Sequence, residues 1–471
     1  MQLVKNYLYN AGYNILILLT PLLTVPYISR VLGPTGVGIN ATTNSVITYF
    51  LLAGTVGITI YGNREIAFIR DDLKERSRVF WEIEFLQITT IALAYIAFLI
   101  FLFTETQFKV AFFYQSFYII AGAFDISWYF MGLEDFKKTV VRNTFVKIAS
   151  LVAIFTLVKT SQDVGKYILI LSLSQLFGNI SLWPYLINSI SKPKWHELSL
   201  LKHLLPSLSL FVPQVATTVY LAVNKTMLWQ LDSVTASGYY DYSDKLVKIV
   251  LAVVTATGTV MLPHIANLYA KRKFKQVKKY LYASFDFVLA ISTPMAFGIA
   301  GIATTFAPWF FGQKFASVNI LLMIEAPVII LIGLSNVIGQ QYLLPTKRTK
   351  DFTKSVVLGA LVNIIVNIPL IIYWGVRGAM LATLFSEITV TAYQLFCVRK
   401  DLAFSRLFKN FWKYLLSAFI MFLVIYNLNI QMRISVVALI EQIVVGLAIY
   451  IGMILILKPT ILKRLNDLKH R

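Results

Sequence analysis

The chain has 471 residues, of which 58% are hydrophobic and only 14% are charged, and its formal net charge is +21. A soluble protein carries about 25% charged residues, so this composition and a mean hydropathy of +0.70 exclude an ordinary soluble enzyme. The single cysteine, Cys397, excludes an internal disulfide. Many hydrophobic runs are long enough to cross a bilayer core of about 30 Å as helices. The chain is therefore predicted to be an all-α integral membrane protein.

About fourteen hydrophobic segments follow one another along the chain. Each is predicted to be a helix, because a membrane span must satisfy its backbone hydrogen bonds internally. The predicted spans are 8–32, 38–61, 80–103, 109–131, 143–160, 166–188, 204–231, 238–262, 283–307, 318–342, 355–374, 378–398, 413–429 and 435–457.

The connections between these spans alternate in charge. Basic loops such as "EDFKKTVVRN" alternate with short, nearly uncharged turns such as "GPTG". Under the positive-inside rule, both termini and all basic loops lie in the cytoplasm. In the basic loop "YAKRKFKQVKKYLY", apolar residues at helical spacing predict an amphipathic helix that lies on the membrane surface.

Spans 1 and 7 share a plan that indicates an internal repeat. Each is long, contains two prolines, carries a cation near its outer end (Arg30 or Lys225), and precedes a turn with glycine. Counting six spans per block predicts an N-lobe at 1–190, a C-lobe at 191–400, and two appended helices with a basic tail at 401–471. Because six is even, both lobes have the same orientation, which predicts a central cavity and alternating access.

Ionisable residues at membrane depth are costly and are candidates for functional sites. In span 8, "SGYYDYSDKLVKIV" places Asp241 four residues before Lys245, and Asp244 four residues before Lys248. This is the favourable order for ion pairs on a helix. A helix face with these charges cannot meet lipid, so it lines a cavity or packs against other charges.

Two sets of candidate residues follow. The candidates for binding an anionic substrate are Arg30, Lys225, Lys245 and Lys248. The candidates for ion coupling or for internal charge pairs are Asp125, Asp241, Asp244, Glu325 and Glu387. The alternative is that these charges only hold the helix bundle together, and that Arg30 reaches the outer membrane surface. The histidines form no ligand cluster, so no metal site and no catalytic residue are predicted.

Several stretches of the chain together resemble one family. They are "TPLLTVPYISRVLGPTGVGI", "FDISWYFMGLEDFKKTVVRN", "NKTMLWQL" with "GYYDYSDKLVKI", "TVMLPHIANL", and "GALVNIIVNIPLI" with "GVRGAMLATLFSE". In this order they resemble the polysaccharide (oligosaccharide repeat-unit) flippases. These are the Wzx-type members of the multidrug/oligosaccharidyl-lipid/polysaccharide exporter superfamily.

The resemblance implies two six-helix lobes around a central cavity. It implies a cargo of undecaprenyl-pyrophosphate-linked sugar repeat units, which move from the inner to the outer leaflet of the bacterial cytoplasmic membrane for capsule or exopolysaccharide assembly. We expect no cofactor, and we expect transport to be coupled to protons or sodium. The expected partners are the lipid bilayer, the lipid-linked oligosaccharide, a polysaccharide polymerase and glycosyltransferases, but no nucleic acid. We expect a monomer.

Three other functions compete with this interpretation. A multidrug exporter of organic cations would need uncompensated carboxylates, whereas span 1 has none and carries Arg30. A lipid II flippase has a similar anionic cargo, and the sequence separates it poorly. A membrane glycosyltransferase or polymerase would need an acidic motif in a sizeable loop. The loop "RDDLKER", which carries paired acids, is more simply a solvated surface.

Overall fold

A computed structural model describes residues 2–187, 189–193 and 195–462, and every regular element within them is a helix. Side chains are described from residue 20 onward within these ranges, apart from 136, 210, 212–214, 216, 217, 220, 221, 257, 259 and 260. The last part of the predicted basic tail, 463–471, lies outside the described residues.

The first helical stretch, Gln2–Thr55, contains two membrane helices. Its backbone is non-helical at Gly33, with φ 67° and ψ 179°, and Pro34 follows. A straight helix of 54 residues would be about 80 Å long, far more than one bilayer core of about 30 Å. The break therefore separates α1 (2–32) from α2 (34–55). A shorter helix, Ile58–Ile69, continues the chain after left-handed Gly57.

Five more membrane helices complete the first half of the chain. Asp72 caps α3 by accepting hydrogen bonds from two backbone amides, and α4 consists of three short helices. The bounds are Leu73–Thr104 for α3, Lys109–Gln115, Phe117–Ala123 and Ser127–Gly132 for α4, Phe136–Leu157 for α5, Val164–Ile180 for α6 and Leu204–Leu231 for α7.

The second half also contains seven membrane helices among the described residues. The stretch Thr349–Val398 is non-helical at Gly375, where φ is 54°, so it comprises α11 (349–374) and α12 (376–398). The others are Val234–Ala270 (α8), Phe274–Phe311 (α9), Val318–Ser335 (α10), Phe411–Gln431 (α13) and Val436–Leu457 (α14). Helix α10 continues as a π-helix, Asn336–Leu343.

Helix α8 approaches this π-helix closely. A Cβ atom added to Gly258 of α8 would lie 2.5 Å from Oδ1 of Asn336. Real side chains do not tolerate that separation, so glycine permits the close contact.

The predicted all-α membrane fold with about fourteen membrane helices is confirmed. Two details differ from the sequence-based expectation. The basic segment "FKQVKKY" does not form a separate surface helix, because it is the continuous first part of α9. The sequence predicts one continuous helix for span 4, but α4 is interrupted around residues 124–126, where Asp125 lies.

By their internal contacts, Met1–Trp229 and Gln230–Arg471 form two compact units. The first unit includes α7, and the preceding connection explains why. In this connection, Arg76 of α3 donates a hydrogen bond to the Ser189 carbonyl, and Trp81 of α3 donates one to the Ser191 carbonyl, both at 2.9 Å. The division into lobes of helices 1–6 and 7–12 stays a prediction.

The core of the first unit is rich in aromatic side chains. The ring of Phe80 on α3 stacks on Trp128 at 5.4 Å between centroids and meets Tyr129 edge-on at 5.0 Å. Gly62 permits this packing, because a Cβ atom there would lie 2.5 Å from the Trp128 ring. These contacts fix the last part of α4 against α3.

Candidate substrate and coupling sites

The charged face of α8 forms two ion pairs. Lys245 Nζ lies 2.5 Å from Asp241 Oδ2, and Lys248 Nζ lies 2.6 Å from Asp244 Oδ2. The lysine side chains are 41% and 42% exposed, whereas those of Asp241 and Asp244 are 2% and 10% exposed. The carboxylates are therefore buried, and the ammonium groups point toward open space. An ammonium has three N–H donors, so one ion pair leaves donors for a ligand.

A third carboxyl group, from α10, joins these pairs. Glu325 is buried, its Oε2 accepts a hydrogen bond of 2.9 Å from the Ser243 hydroxyl, and it lies within electrostatic reach of Asp244 and Lys248. We call Asp241, Asp244, Lys245, Lys248 and Glu325 the α8 charge cluster. Its two lysines balance two aspartates, so its net charge is zero when Glu325 is protonated and −1 when Glu325 is ionised. Lys245 and Lys248 are thus not uncompensated cations.

Glu387 lies on α12 in the same unit. It is buried one helical turn beyond Thr383, whose Oγ1 is 2.9 Å from the Tyr240 hydroxyl of α8. This hydrogen bond links the helix of Glu387 to the helix of the α8 charge cluster.

The remaining candidate cations belong to the first unit. Arg30 is exposed and donates a hydrogen bond of 2.9 Å to the Pro26 carbonyl of its own helix. Lys225 is half-buried on α7 and lies within electrostatic reach of Tyr49. The Tyr49 hydroxyl is 3.0 Å from Oγ1 of Thr226, which ties α2 to α7.

Asp125 lines a polar cavity of about 260 Å³ within the first unit. Its Oδ1 accepts a hydrogen bond from the Ser127 backbone amide at 3.0 Å. Gln87 of α3 donates to the Gly122 carbonyl at 2.6 Å, and Asn179 of α6 donates to the Ala121 carbonyl at 2.7 Å. Arg142 of α5 in turn donates to Asn179 Oδ1 at 2.8 Å. Amide side chains from α3 and α6 thus hold the carbonyl groups just before the α4 interruption.

Sequence reasoning missed two carboxyl groups in "WEIEFLQ" at the start of α3. Glu82 is buried and accepts hydrogen bonds or ion pairs from Lys202 Nζ at 2.7 Å, His203 Nε2 at 2.9 Å and the Ser199 amide at 2.9 Å. Glu84 is also fully buried. The available signal was two acids and a glutamine inside an otherwise apolar segment, and their position near a predicted span boundary concealed it.

His203, just before α7, completes this network. Its Nδ1 is 2.7 Å from the Tyr61 hydroxyl. Burial lowers the pKa of His203 below its usual value near 6.5, although the neighbouring Glu82 acts in the opposite direction. Within the described ranges, no group of three or more His, Cys, Asp and Glu side chains could hold a metal ion.

A family profile described as polysaccharide biosynthesis protein matches residues 3–269, more than half of the chain. The chain belongs to the polysaccharide biosynthesis protein family. This assignment confirms the family resemblance that the sequence motifs indicate.

Known relatives of this polysaccharide biosynthesis protein extend along most of its length. A protein of Shigella dysenteriae described as a candidate O-antigen transporter is 25% identical over 391 residues, covering 81% of this chain and 96% of the relative. A protein of Escherichia coli (strain K12) with the same description is 24% identical over 422 residues, covering 85% and 98%. These relatives confirm that the chain groups with transporters and not with enzymes.

A solved structure supports the fold of this family member. The lipid II flippase MurJ, in an inward closed conformation, superimposes with a TM-score of 0.73 over 96% of this chain and 98% of that chain, at 17% identity. At this identity the similarity shows the shared fold only.

Proposed function

We propose that this protein moves undecaprenyl-pyrophosphate-linked oligosaccharide repeat units from the inner to the outer leaflet of the bacterial cytoplasmic membrane by alternating access. The product would feed the assembly of a capsule, an exopolysaccharide or another surface polysaccharide. The observation that carries this proposal is the α8 charge cluster, in which half-exposed ammonium groups form ion pairs with buried carboxylates of the same membrane helix. The two relatives described as candidate O-antigen transporters support the same class of cargo.

The proposed binding residues for the pyrophosphate are Arg30, Lys225, Lys245 and Lys248. Hydrogen bonds between these cations and phosphate oxygens are charge-assisted and roughly twice as strong as neutral ones. An arriving anion would compete with Asp241 and Asp244 for the lysines. Binding would therefore be stronger when Glu325 is protonated, because the α8 charge cluster then carries no net negative charge.

A separate apolar groove of the second unit suits the polyprenyl chain. It has a volume of about 580 Å³ and is lined by α8, α9, α13 and α14, including Met295, Ile299, Met421, Ile443 and Tyr450. An isoprenoid tail is as apolar as lipid, so it needs no polar partner along this groove. The tail can stay in an apolar environment while the polar headgroup is bound elsewhere.

Proton or sodium coupling is proposed for the acidic residues. Asp241, Asp244 and Glu325 belong to the α8 charge cluster, Glu387 lies on α12, and Asp125 lines the polar cavity of the first unit. A cation bound at any of these carboxyl groups would change the local charge that a pyrophosphate meets.

Deletion of the gene tests the proposed cargo. We expect lipid-linked repeat units to accumulate on the inner leaflet, surface polymer to disappear, and the intact chain to restore both. Normal surface polymer without accumulation would contradict the proposal. A lipid II flippase is the competing function, and rescue of a peptidoglycan-deficient strain, without rescue of surface polysaccharide, would favour it.

The proposed orientation places both termini and all basic loops in the cytoplasm. Since Cys397 is the only cysteine, Cys397→Ser gives a cysteine-free background. In this background, Lys278→Cys should react with a membrane-impermeant thiol reagent from the cytoplasmic side, and Thr106→Cys should react from the outer side. The reverse pattern would contradict this orientation.

A further inference from the structure

Glu84 on α3 is a buried carboxyl group that differs from its neighbours. Its exposed fraction is 0%, and neither carboxyl oxygen has a hydrogen-bond partner among the described residues. One helical turn earlier, Phe80 packs against Trp128, so the surroundings on this side are apolar. An ionised carboxylate without partners is very unfavourable in such surroundings, whereas a neutral carboxyl group is tolerated far better.

No cation among the described residues compensates Glu84. Helix α2 has no charged residue. On the helix Ile58–Ile69, Arg64 pairs with Glu65 at 3.2 Å. Lys202 and His203 bind Glu82, which lies about 200° around the α3 helix from Glu84.

The charged neighbour of Glu84 is another acid. Asp125 of α4 lies within electrostatic reach of Glu84 and lines the polar cavity of the first unit. Two interacting carboxyl groups resist simultaneous ionisation, so the pair favours one negative charge and one proton. Because Asp125 has access to the cavity and Glu84 is buried, the charge belongs on Asp125 and the proton on Glu84.

We propose that Glu84 and Asp125 form a proton-binding carboxyl pair of the first unit, with the proton held on Glu84. A second proton, taken by Asp125 from water in the cavity, would neutralise the pair, and its release would restore the single negative charge. The proton is favoured over a metal cation because a metal ion needs several ligands, whereas no group of three or more His, Cys, Asp and Glu side chains among the described residues could hold one.

The interruption of α4 gives this site a mechanical connection. Asp125 lies between the helices Phe117–Ala123 and Ser127–Gly132. A change in the charge of the pair would alter the repulsion between α3 and this interruption, so proton binding would bias the bend of α4. This connection rests on the proposed transport function, whereas the presence of the proton on Glu84 does not.

Infrared spectroscopy of the full chain in liposomes tests the proton directly. At neutral pH we expect the carbonyl-stretch band of a protonated carboxyl group in the wild type, and a loss of band intensity in Glu84→Gln. The matched control is Glu82→Gln, two residues away, which should leave that band unchanged because Glu82 is held by a lysine, a histidine and an amide. Glu84→Asp should keep a protonated-carboxyl band at a shifted frequency. This variant tests the assignment of the band if Glu84→Gln does not fold.

Two results would overturn the proposal. One is a Glu84→Gln spectrum with the same protonated-carboxyl band as the wild type. The other is loss of the Glu84 band when sodium replaces potassium at constant pH, which would assign the site to a metal cation. The band does not depend on the cargo, so it can be present even if the protein fails to flip lipid-linked oligosaccharide. That combination would reject the proposed function and keep the proton site.

A transport measurement then tests the coupling. In proteoliposomes that flip lipid-linked oligosaccharide, we expect a pH gradient to increase the flipping rate of the wild type. In Glu84→Gln we expect this increase to be at least tenfold smaller. The Glu82→Gln variant should keep its response to the gradient. An unchanged response in Glu84→Gln would show that the pair does not couple protons to transport.

Discussion

Two sites, one in each unit, neutralise buried carboxyl groups in different ways. In the second unit, Asp241 and Asp244 each have a lysine one helical turn away, and Glu325 accepts a hydrogen bond from Ser243. In the first unit, Glu84 has no hydrogen-bond partner among the described residues, and its charged neighbour is Asp125. Ion pairing keeps full charges available for a ligand, whereas an isolated carboxyl group is best kept neutral by a proton. We therefore propose substrate binding at the paired charges of α8 and proton binding at Glu84.

The largest effect is expected from removal of both exposed ammonium groups. Lys245→Ala with Lys248→Ala should reduce flipping by 100-fold or more, because two charge-assisted hydrogen bonds are worth about 1.5–3 kcal/mol each and 1.4 kcal/mol corresponds to about tenfold. The rate of lipid-linked oligosaccharide flipping in proteoliposomes measures this loss. Lys245→Arg with Lys248→Arg keeps both charges and is the control. A wild-type flipping rate in the double alanine variant would show that the α8 charge cluster does not bind the substrate.

A large stability effect is expected at Glu82, the fully paired acid of α3. Glu82→Ala removes the acceptor for Lys202, His203 and Ser199. Lys202 is 41% exposed, so water can solvate its charge, but the buried His203 ring loses its acceptor, and an unsatisfied buried donor costs about 1–3 kcal/mol. The unfolding temperature of the protein in detergent should therefore be clearly lower than that of the wild type. Glu84→Gln replaces a neutral carboxyl group by an amide of the same shape and should shift unfolding much less. An equal decrease in unfolding temperature in both variants would contradict the difference proposed between Glu82 and Glu84.

The stability of the protein is expected to depend on pH through His203. Because the pKa of His203 is lower in the folded protein, the unfolded chain binds more protons between the folded value and about 6.5. The free energy of unfolding then rises with pH in this window. The stabilisation is present above pH ~6.5 and is lost as pH falls through the folded pKa.

Thermal unfolding at pH 7.5 and pH 5.5 measures this dependence. The wild type should lose more stability on acidification than His203→Gln, by about 1.4 kcal/mol for each unit by which the pKa is lowered. The same loss in both proteins would exclude His203 as the responsible group.

The smallest effect is expected at Arg30. It is exposed, so Arg30→Lys keeps a cation in a flexible position and should change the flipping rate by less than about threefold, whereas Arg30→Ala should reduce it by roughly tenfold, the value of one charge-assisted hydrogen bond. Flipping in proteoliposomes measures both variants. If Arg30→Ala flips at the wild-type rate, the substrate contacts of α1 do not include this residue.

The sequence predicts the helices well and the contacts of the site only in part. Membrane spans are readable because each requires about twenty apolar residues, and the Asp241–Lys245 pair follows from helical spacing. The contact between Ser243 and Glu325 joins residues 82 positions apart, which no local pattern reveals. The interruption of α4 at Asp125 has no proline to announce it.

The burial of Glu84 is a second property that the local sequence does not reveal. This residue lies near the predicted start of a span and is not among the predicted site residues, yet α4 and the helix Ile58–Ile69 pack over the start of α3, where Glu84 is buried. Burial of this kind depends on which helices meet, and that information is distributed over the whole unit.

The close contact between Gly258 and the π-helix has a geometric consequence for the amide side chains around it. Asn336 Oδ1, which a Cβ atom at position 258 would approach to 2.5 Å, also accepts a hydrogen bond of 3.3 Å from Gln341 Nε2. Gln341 Oε1 in turn accepts a hydrogen bond of 2.5 Å from the Ser284 hydroxyl of α9. Glycine at position 258 therefore leaves room for a chain of polar contacts that joins the π-helix to α9.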